Sequence, residues 1–399
     1  MSWVAISCTT LSLASRKAFA QESRLAPAST PSWQVDLRSF GYTGYEPRNY
    51  EWPGPNTIPP IFFSSPNAVV VGFVTRHMVS GLQRRDQEHL EEPYVLHIIS
   101  LDTHNGAALS VLSWPVPDPR SRVVPTDHHN FLVTTPDQMT LYSPSFKRLA
   151  ELGLRTLESS GSFWVAHLSP TAKSILIEYS ASDPLPHHFL WINADSLRPM
   201  ASWTGTSQLV ATSAAISDDS VAIYMGWFPS PVRTQVLIRR LDGATRVFCD
   251  AQRSCGTPMI LNQSTLVLWM ARDELKVVGL DGKELFDEKF PYQTQWIGKS
   301  FAPSASGQEF AVPVYRPKGG WPGLDISPKM TLDKVVVYGI DLRGPVYTLD
   351  EKKLKITYAT LSGMALSPDG SQLALLADGI LRDYRIPYSG SKTDHDDYR

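Results

Sequence analysis

The chain has 399 residues, 42% of them hydrophobic and 19% charged, with a formal net charge of −2. That length suits two or three ordinary domains or one large β structure, and the apolar share supports a real core. The charge balance excludes a global electrostatic pull toward nucleic acid or anionic membrane. With 31 prolines, 11 Trp, 15 Tyr and 15 Phe, and few amphipathic helical patterns, the composition indicates an all-β chain rich in turns.

At the N-terminus, "WVAISCTTLSLA" (Trp3 to Ala14) is a short apolar run followed by "AFA" at Ala18 to Ala20. A short apolar segment before an Ala-x-Ala site resembles a secretory signal peptide. Residues 1–20 are therefore expected to be removed on export to the periplasm or outside the cell. No basic residue precedes the run, and Arg16-Lys17 falls between it and the site. A start codon placed too far downstream accounts for the first departure. An uncleaved leader on a cytoplasmic protein is the alternative. Cys8 in "AISC" resembles a lipoprotein cleavage box without its usual Leu. No other apolar run approaches the ~20 residues of a membrane helix.

Residues 21–32 form an N-terminal arm. In "SWQVDLRSF" (Ser32 to Phe40), Trp33, Val35 and Leu37 alternate with Gln34, Asp36 and Arg38, the period of a half-buried strand. A repeat then begins. "FFSSPNAVVVGFV", "VVPTDHHNFLVTT", "WVAHLSPTAKSILIEYS", "AAISDDSVAIYMG", "PMILNQSTLVLWM", "SFAPSASGQEFAVPVY" and "ALSPDGSQLALL" each read as strand, polar turn, strand. Aligned at Pro66, Asp127, Pro170, Asp218, Asn262, Ser304 and Pro368, the turns are 61, 43, 48, 44, 42 and 64 residues apart. In the first six units a second strand pair follows, often around Asp-Gly, as in "VLIRRLDGATRVFC" and "LKVVGLDGKELFDEKF". Four strands per unit at this period predict a β-propeller.

The last unit has strands at about 361–366, 372–376 and 380–386 and no fourth; the tail 389–399 is too polar to supply one and is read as disordered. The strand Trp33 to Phe40 is predicted to complete that blade. A bare edge invites aggregation, and one strand from the other end of the chain removes it. The expected fold is a seven-bladed ring over residues 33–388.

"LSPDGSQLALL" (Leu366 to Leu376) and "LDGKELF" (Leu280 to Phe286) resemble the WD40-like propeller repeats of bacteria, including the TolB type and the broader quinoprotein-dehydrogenase-like propellers. No Trp-Asp dipeptide occurs. The resemblance implies the fold, and a binding scaffold more often than an enzyme.

Catalytic signatures are missing from the linear sequence. There is no Gly-x-Ser-x-Gly, no His-Glu-x-x-His, no Cys-x-x-Cys, no sialidase Asp-box and no repeated quinone-site signature. Gly298-Lys299-Ser300 imitates a phosphate loop, but position 293 is Gln and a strand follows. The pairs His128-His129 and His187-His188 point to opposite faces in extended chain and read as surface imidazoles. Asp86, Glu88, Glu91 and Glu92 beside Arg84 and Arg85 read as a solvated mixed-charge loop. Neither a cofactor nor a metal site is expected. Cys249 and Cys255, with five residues between them in "FCDAQRSCG", are expected to form a disulfide in an oxidising compartment.

The expected function is an exported, non-catalytic scaffold, monomeric, that binds a protein or other macromolecule. The alternative is a propeller enzyme of the lactonase or glycan-processing kind, with its site at the central channel. The first-pair turns stay short, whereas the loops after the second strands vary. Two insertions, Arg76 to Pro93 and Arg316 to Asp333, should overhang one sector of the ring. Arg84, Arg85, Trp227 and Trp321 are the candidate partner-binding residues. Loop aromatics of the arm, Tyr45, Tyr50 and Trp52, read as packing anchors.

Overall fold

The computed structural model describes residues 30–42, 61–76, 94–116, 121–126, 130–135, 137–143, 145–154, 163–180, 188–205, 209–227, 234–249, 257–271, 273–291, 296–297, 301–318, 329–350 and 361–387. Their strands form seven separate antiparallel sheets, one for each sequence repeat. The sheets are the blades of a β-propeller.

Within a blade the strands are labelled a to d in chain order. Blade one is Ile61–Ser65, Ala68–Arg76, Tyr94–Asp102 and Ala108–Val116. Blade two is Arg122–Pro125, Phe131–Thr135, Gln138–Tyr142 and Arg148–Gly153. Blade three is Phe163–Leu168, Ser174–Ser180, His188–Asn193 and Pro199–Thr204. Blade four is Leu209–Ile216, Ser220–Trp227, Thr234–Arg240 and Thr245–Cys249, and blade five is Thr257–Ile260, Thr265–Ala271, Glu274–Gly279 and Glu284–Lys289. In blade six strand a is split into Trp296–Ile297 and Ala302–Pro303, both paired with strand b, Glu309–Lys318; Lys329–Gly339 and Gly344–Asp350 follow. Blade seven has Leu361–Leu366, Gln372–Ala377 and Ile380–Arg385.

The a strands of neighbouring blades touch and so line the axis. The d strands are outermost, with half-buried residues alternating with exposed ones, as in Pro199–Thr204. The b strands are wedged between blades, and their apolar side chains fill two interfaces at once. In blade seven, Leu373 and Leu375 pack toward blade six, while Ala374 and Leu376 pack toward blade one. That two-sided burial explains the continuous apolar reading of "QLALLA", whose six residues are all buried.

The ring closes as predicted. Trp33–Asp36 pairs antiparallel with Ile380–Arg385, Trp33 opposite Asp383 and Asp36 opposite Ile380. The strand is shorter than expected, because Leu37–Phe40 is a 3-10 turn. Asp36 ends the strand: its carboxylate accepts from the Arg38 backbone N–H at 3.0 Å, a local bond that competes with the ladder. Gly41, at φ 91°, ends the turn. Leu37 stays inside, fully buried against blades seven and one.

Trp33 carries the closure further. Its indole N–H donates to the Thr103 carbonyl at 2.8 Å, in the c–d turn of blade one. The ring lies so close to Gly106 that a Cβ there would meet it at 2.8 Å. Gly106 also sits at φ +73°, so two requirements specify glycine.

The second insertion is shorter than Arg316 to Asp333. Strand b of blade six runs on to Lys318 and strand c starts at Lys329, with Lys318 opposite Lys329. Arg316 donates to the buried Asp333 carboxylate at 2.9 Å, an ion pair that fixes this extended hairpin. In blade one strand b ends at Arg76 and strand c begins at Tyr94, so the expected bounds hold and 77–93 lies outside the described residues.

Candidate functional site

Antiparallel order puts the a–b and c–d turns on one face of the ring and the b–c loops on the other. A cavity of about 390 Å³ opens at the axis on the a–b face. All seven a strands contribute to it. Its wall is mostly apolar, including Phe62, Leu168, Ile216, Met259, Phe301 and Met364. Consecutive residues of the a strands contribute to it, among them Ile61, Phe62 and Phe63 in blade one and Met259 and Ile260 in blade five.

The rim is made of the a–b turns, which are tied to one another. Thr171 of blade three donates to Asp218 of blade four at 2.7 Å. Asn262 of blade five donates to the Gly307 carbonyl of blade six at 2.8 Å. The Ser306 N–H of blade six donates to the Pro368 carbonyl of blade seven at 3.1 Å. The best-formed turn is Ser367 to Gln372. The Ser367 hydroxyl donates to Asp369 at 2.6 Å and accepts from the Gln372 N–H at 2.9 Å, while Gly370 takes φ +72°. Side-chain bonds to the backbone of this kind preset the turn. A second, polar hollow of about 310 Å³ lies among the same turns, with Ser217, Asp218, Asn262 and Gln263 in its wall.

Among the described residues that line the axial cavity, none is Asp, Glu, Lys or Arg. The polar exceptions stand out for that reason. His167, in strand a of blade three, is 5% exposed. Its Nε2 lies 3.3 Å from Oε2 of Glu178, itself buried in strand b. The two are diagonal neighbours on one side of the sheet, since Val165 is the residue opposite Glu178. A carboxylate only accepts, so Nε2 donates. Nδ1 of His167 is then an acceptor, buried and with no protein partner. Thr126, at the end of strand a of blade two, is 4% exposed, and its Oγ1 also has no protein partner.

The residues proposed from sequence are not gathered here. Arg84, Arg85 and Trp321 lie outside the described residues. Trp227 ends strand b of blade four, on the b–c face and across the ring from blade seven. Cys249 ends strand d of blade four opposite Val236; Cys255 lies outside the described residues, as do the pair His128-His129 and Gly298-Lys299-Ser300. His188, of the second His pair, stacks on Tyr179 with ring centroids 5.1 Å apart and bonds Thr204, so it is held within the blade. His167 and Glu178 escaped sequence reasoning, which weighed paired histidines and passed over single ones. Their signal is a polar residue inside each of two paired apolar runs, "WVAHL" and "SILIEYS".

No protein-family model matches the chain. No curated protein matches it. Among solved structures, the C-terminal WD40 domain of Sif2 is similar at 10% identity and a TM-score of 0.45, over 84% of this chain and 97% of that one. A chain of a mitotic checkpoint complex is similar at 13% identity and a TM-score of 0.49, over 96% of this chain and 99% of that one. An oligogalacturonate lyase in complex with manganese reaches 11% and 0.43, over 70% of this chain and 77% of that one. The strand order establishes the ring without them. Among the described residues no group of His, Cys, Asp or Glu is placed to hold a metal ion, and no helix is long and apolar enough to cross a membrane.

Proposed function

We propose that this protein is an exported, non-catalytic propeller that binds a protein partner on its b–c face, over blade seven. The observation that supports this is a difference in reach. Blade seven turns from strand b to strand c through Asp378 and Gly379 alone. Its neighbours on either side, blades six and one, carry much longer hairpins, with strands of ten and eleven residues in blade six and nine each in blade one. The low sector between them is floored by the 3-10 turn, whose Leu37 N–H donates to the Gly379 carbonyl at 2.8 Å. Beside it Tyr42 meets Phe73 edge-on at 5.0 Å, and Phe73 stacks on His97 at 5.0 Å. Rigid scaffolds tend to carry their binding residues on such loops.

The test replaces 77–93 and 319–328, separately, with short Gly-Ser linkers. Each variant should keep the wild-type circular dichroism spectrum, since added loop length costs little stability. Each should lose at least tenfold in affinity for the partner that wild-type protein captures from native extracts. Unchanged affinity in both would place the partner surface elsewhere.

The same reading places the chain with the bacterial WD40-like propellers of the TolB type, on its "LSPDGSQLALL" turn, and takes residues 1–20 as a cleaved export signal. Mass spectrometry of protein from the native host should find Gln21 at the N-terminus and, without reduction, a peptide joined through Cys249 and Cys255. An intact Met1 in a cytosolic fraction, with two alkylatable thiols, would sink both expectations. The enzyme reading has one observation in its favour, His167 in the channel wall with the buried Glu178 behind it at 3.3 Å.

A further inference from the structure

We infer that the axial cavity and the polar hollow beside its mouth form one site for a small amphiphilic amine, whose apolar body enters the channel while its ammonium group pairs with Asp218. The site lies on the a–b face, opposite the partner surface, so the two readings fail independently.

The two hollows adjoin. Pro170 and Thr171 of blade three and Ala305 of blade six stand in the wall of both. At about 390 and 310 Å³, each falls within the ~300–1,000 Å³ of small-molecule sites. Their walls differ in kind. The axial one offers apolar surface, with Phe63, Leu168 and Phe301 only half-buried in it, so a ligand's body gains by leaving water there. The other is walled by hydroxyl and amide side chains, among them Asn262, Gln263 and Ser306, and Asp218 is its single charged residue among those described.

Asp218 is held on one side and open on the other. Its Oδ1 accepts from the Thr171 hydroxyl at 2.7 Å, across the gap between blades three and four. That bond keeps the carboxylate at the junction, because Thr171 lines both hollows. Oδ2 has no protein partner among the described residues and is not among the enclosed polar atoms, so it keeps accessible surface. No Lys or Arg lines either hollow among the described residues, which leaves the charge for solvent or an occupant to balance. An ammonium group does so with three N–H donors, and charge-assisted bonds are the stronger ones. The order of the two walls sets the direction of entry. Charge at the mouth and apolar surface below it admit a ligand tail first. A Lys or Arg side chain of another protein arrives charge first and would bury that charge in the apolar channel, which is costly. The occupant is therefore a free amine.

Phenylethylamine, phenylethanol and phenylpropionate are probes of similar body that carry a cationic, a neutral and an anionic head. Ethanolamine keeps the head without the body, and N-acetyl-lysine methylamide presents its charge first. Binding is measured by ligand-observed NMR titration on the full chain at neutral pH. Methionine labelled with ¹³C in its methyl group reports the channel, since Met259 and Met364 line it. Phenylethylamine should bind about tenfold more tightly than phenylethanol, the worth of a charge-assisted bond discounted for a partly exposed carboxylate. Phenylpropionate should bind more weakly than either. Ethanolamine and the lysine derivative should each bind at least about tenfold more weakly than phenylethylamine. Phenylethylamine and phenylethanol should both move the Met259 and Met364 signals. Asp218→Asn keeps the acceptor for Thr171 and removes the charge. It should abolish the preference for the amine and leave phenylethanol unchanged. Added salt should weaken the amine and spare phenylethanol.

The inference is overturned if phenylethylamine does not bind, if phenylethanol or phenylpropionate matches it, if it binds without moving the methionine signals, or if Asp218→Asn keeps the preference. A lysine derivative that matches phenylethylamine would make this a site for protein side chains and overturn the free amine. Should Asp218→Asn fail to fold, the salt dependence together with the probe comparison decides between the same outcomes.

Discussion

Deleting residues 21 to 42 is expected to lower the melting temperature by about 10 °C or more, or to drive the protein to aggregate. The deletion removes the outermost strand of blade seven. With it go the buried side chains of Trp33, Leu37 and Tyr42, each contributing roughly 1.5–3 kcal/mol. The total is comparable with the ~5–15 kcal/mol that holds a typical fold together. The cut also exposes the Ile380–Arg385 strand along its whole edge, and bare edges pair with other chains. The point substitution Trp33→Ala should cost about 3–5 kcal/mol, because it opens a large cavity and leaves the Thr103 carbonyl without the indole donor at 2.8 Å. Thermal denaturation followed by circular dichroism, with light scattering for aggregation, reads both variants. A melting curve unchanged by the deletion would falsify closure by this strand.

The second large effect is expected at Asp383, whose replacement by Asn should stabilise the protein at neutral pH. Asp383 is fully buried, directly opposite Trp33 in the closing pair, and neither carboxylate oxygen has a hydrogen-bond partner. Burial pushes its pKa up to about 7, against a smaller opposite pull from Arg385. The sign follows from where the proton sits. Below about pH 4 the carboxyl is protonated in folded and unfolded chains alike and contributes nothing. Between about pH 4 and 7 the unfolded chain ionises while the folded one keeps its proton, so stability falls as pH rises. Above about 7 the full penalty applies, on the order of 4 kcal/mol. Asp383→Asn cannot ionise, but it brings an amide into the same apolar place. The net gain at pH 8 should therefore be about 2–4 kcal/mol, shrinking toward zero near pH 4. Urea denaturation of both proteins across this range checks it. A wild type whose stability is flat between pH 4 and 8, with Asp383→Asn equal to it throughout, would show that the carboxyl is hydrated or partnered in solution.

The position of Asp383 shows where a linear reading stops. "LRDYRI" has polar residues at Arg382, Asp383 and Arg385, on both faces of the last strand. Arg382 and Asp383 are buried, because Trp33–Asp36 covers that strand from the far end of the chain and blades six and one close over its two faces. No local pattern records a cover that arrives from about 350 residues away.

The blades themselves were legible for a local reason. Strand alternation, apolar b strands and Ser-Pro-Asp-Gly or Asp-Gly turns are properties of neighbouring residues, so six of the seven a–b turns and the three strands of blade seven appear in the structure where the sequence places them, within a residue or two, the turn at Asp127 lying outside the described residues. Closure was legible too, because a three-stranded blade at one end and an orphan alternating strand at the other leave a single economical pairing. The end of that strand was not, since it depends on a side-chain bond from Asp36 to Arg38 that competes with the ladder. The axial cavity was least legible. His167 and Glu178 come together through strand register, and Thr126 shares the cavity wall with His167 only because seven a strands converge on one axis. Period and turn chemistry are short-range and determine the repeat. Burial, pairing of polar atoms and the shape of a cavity depend on which blades meet, and those the tertiary structure alone decided.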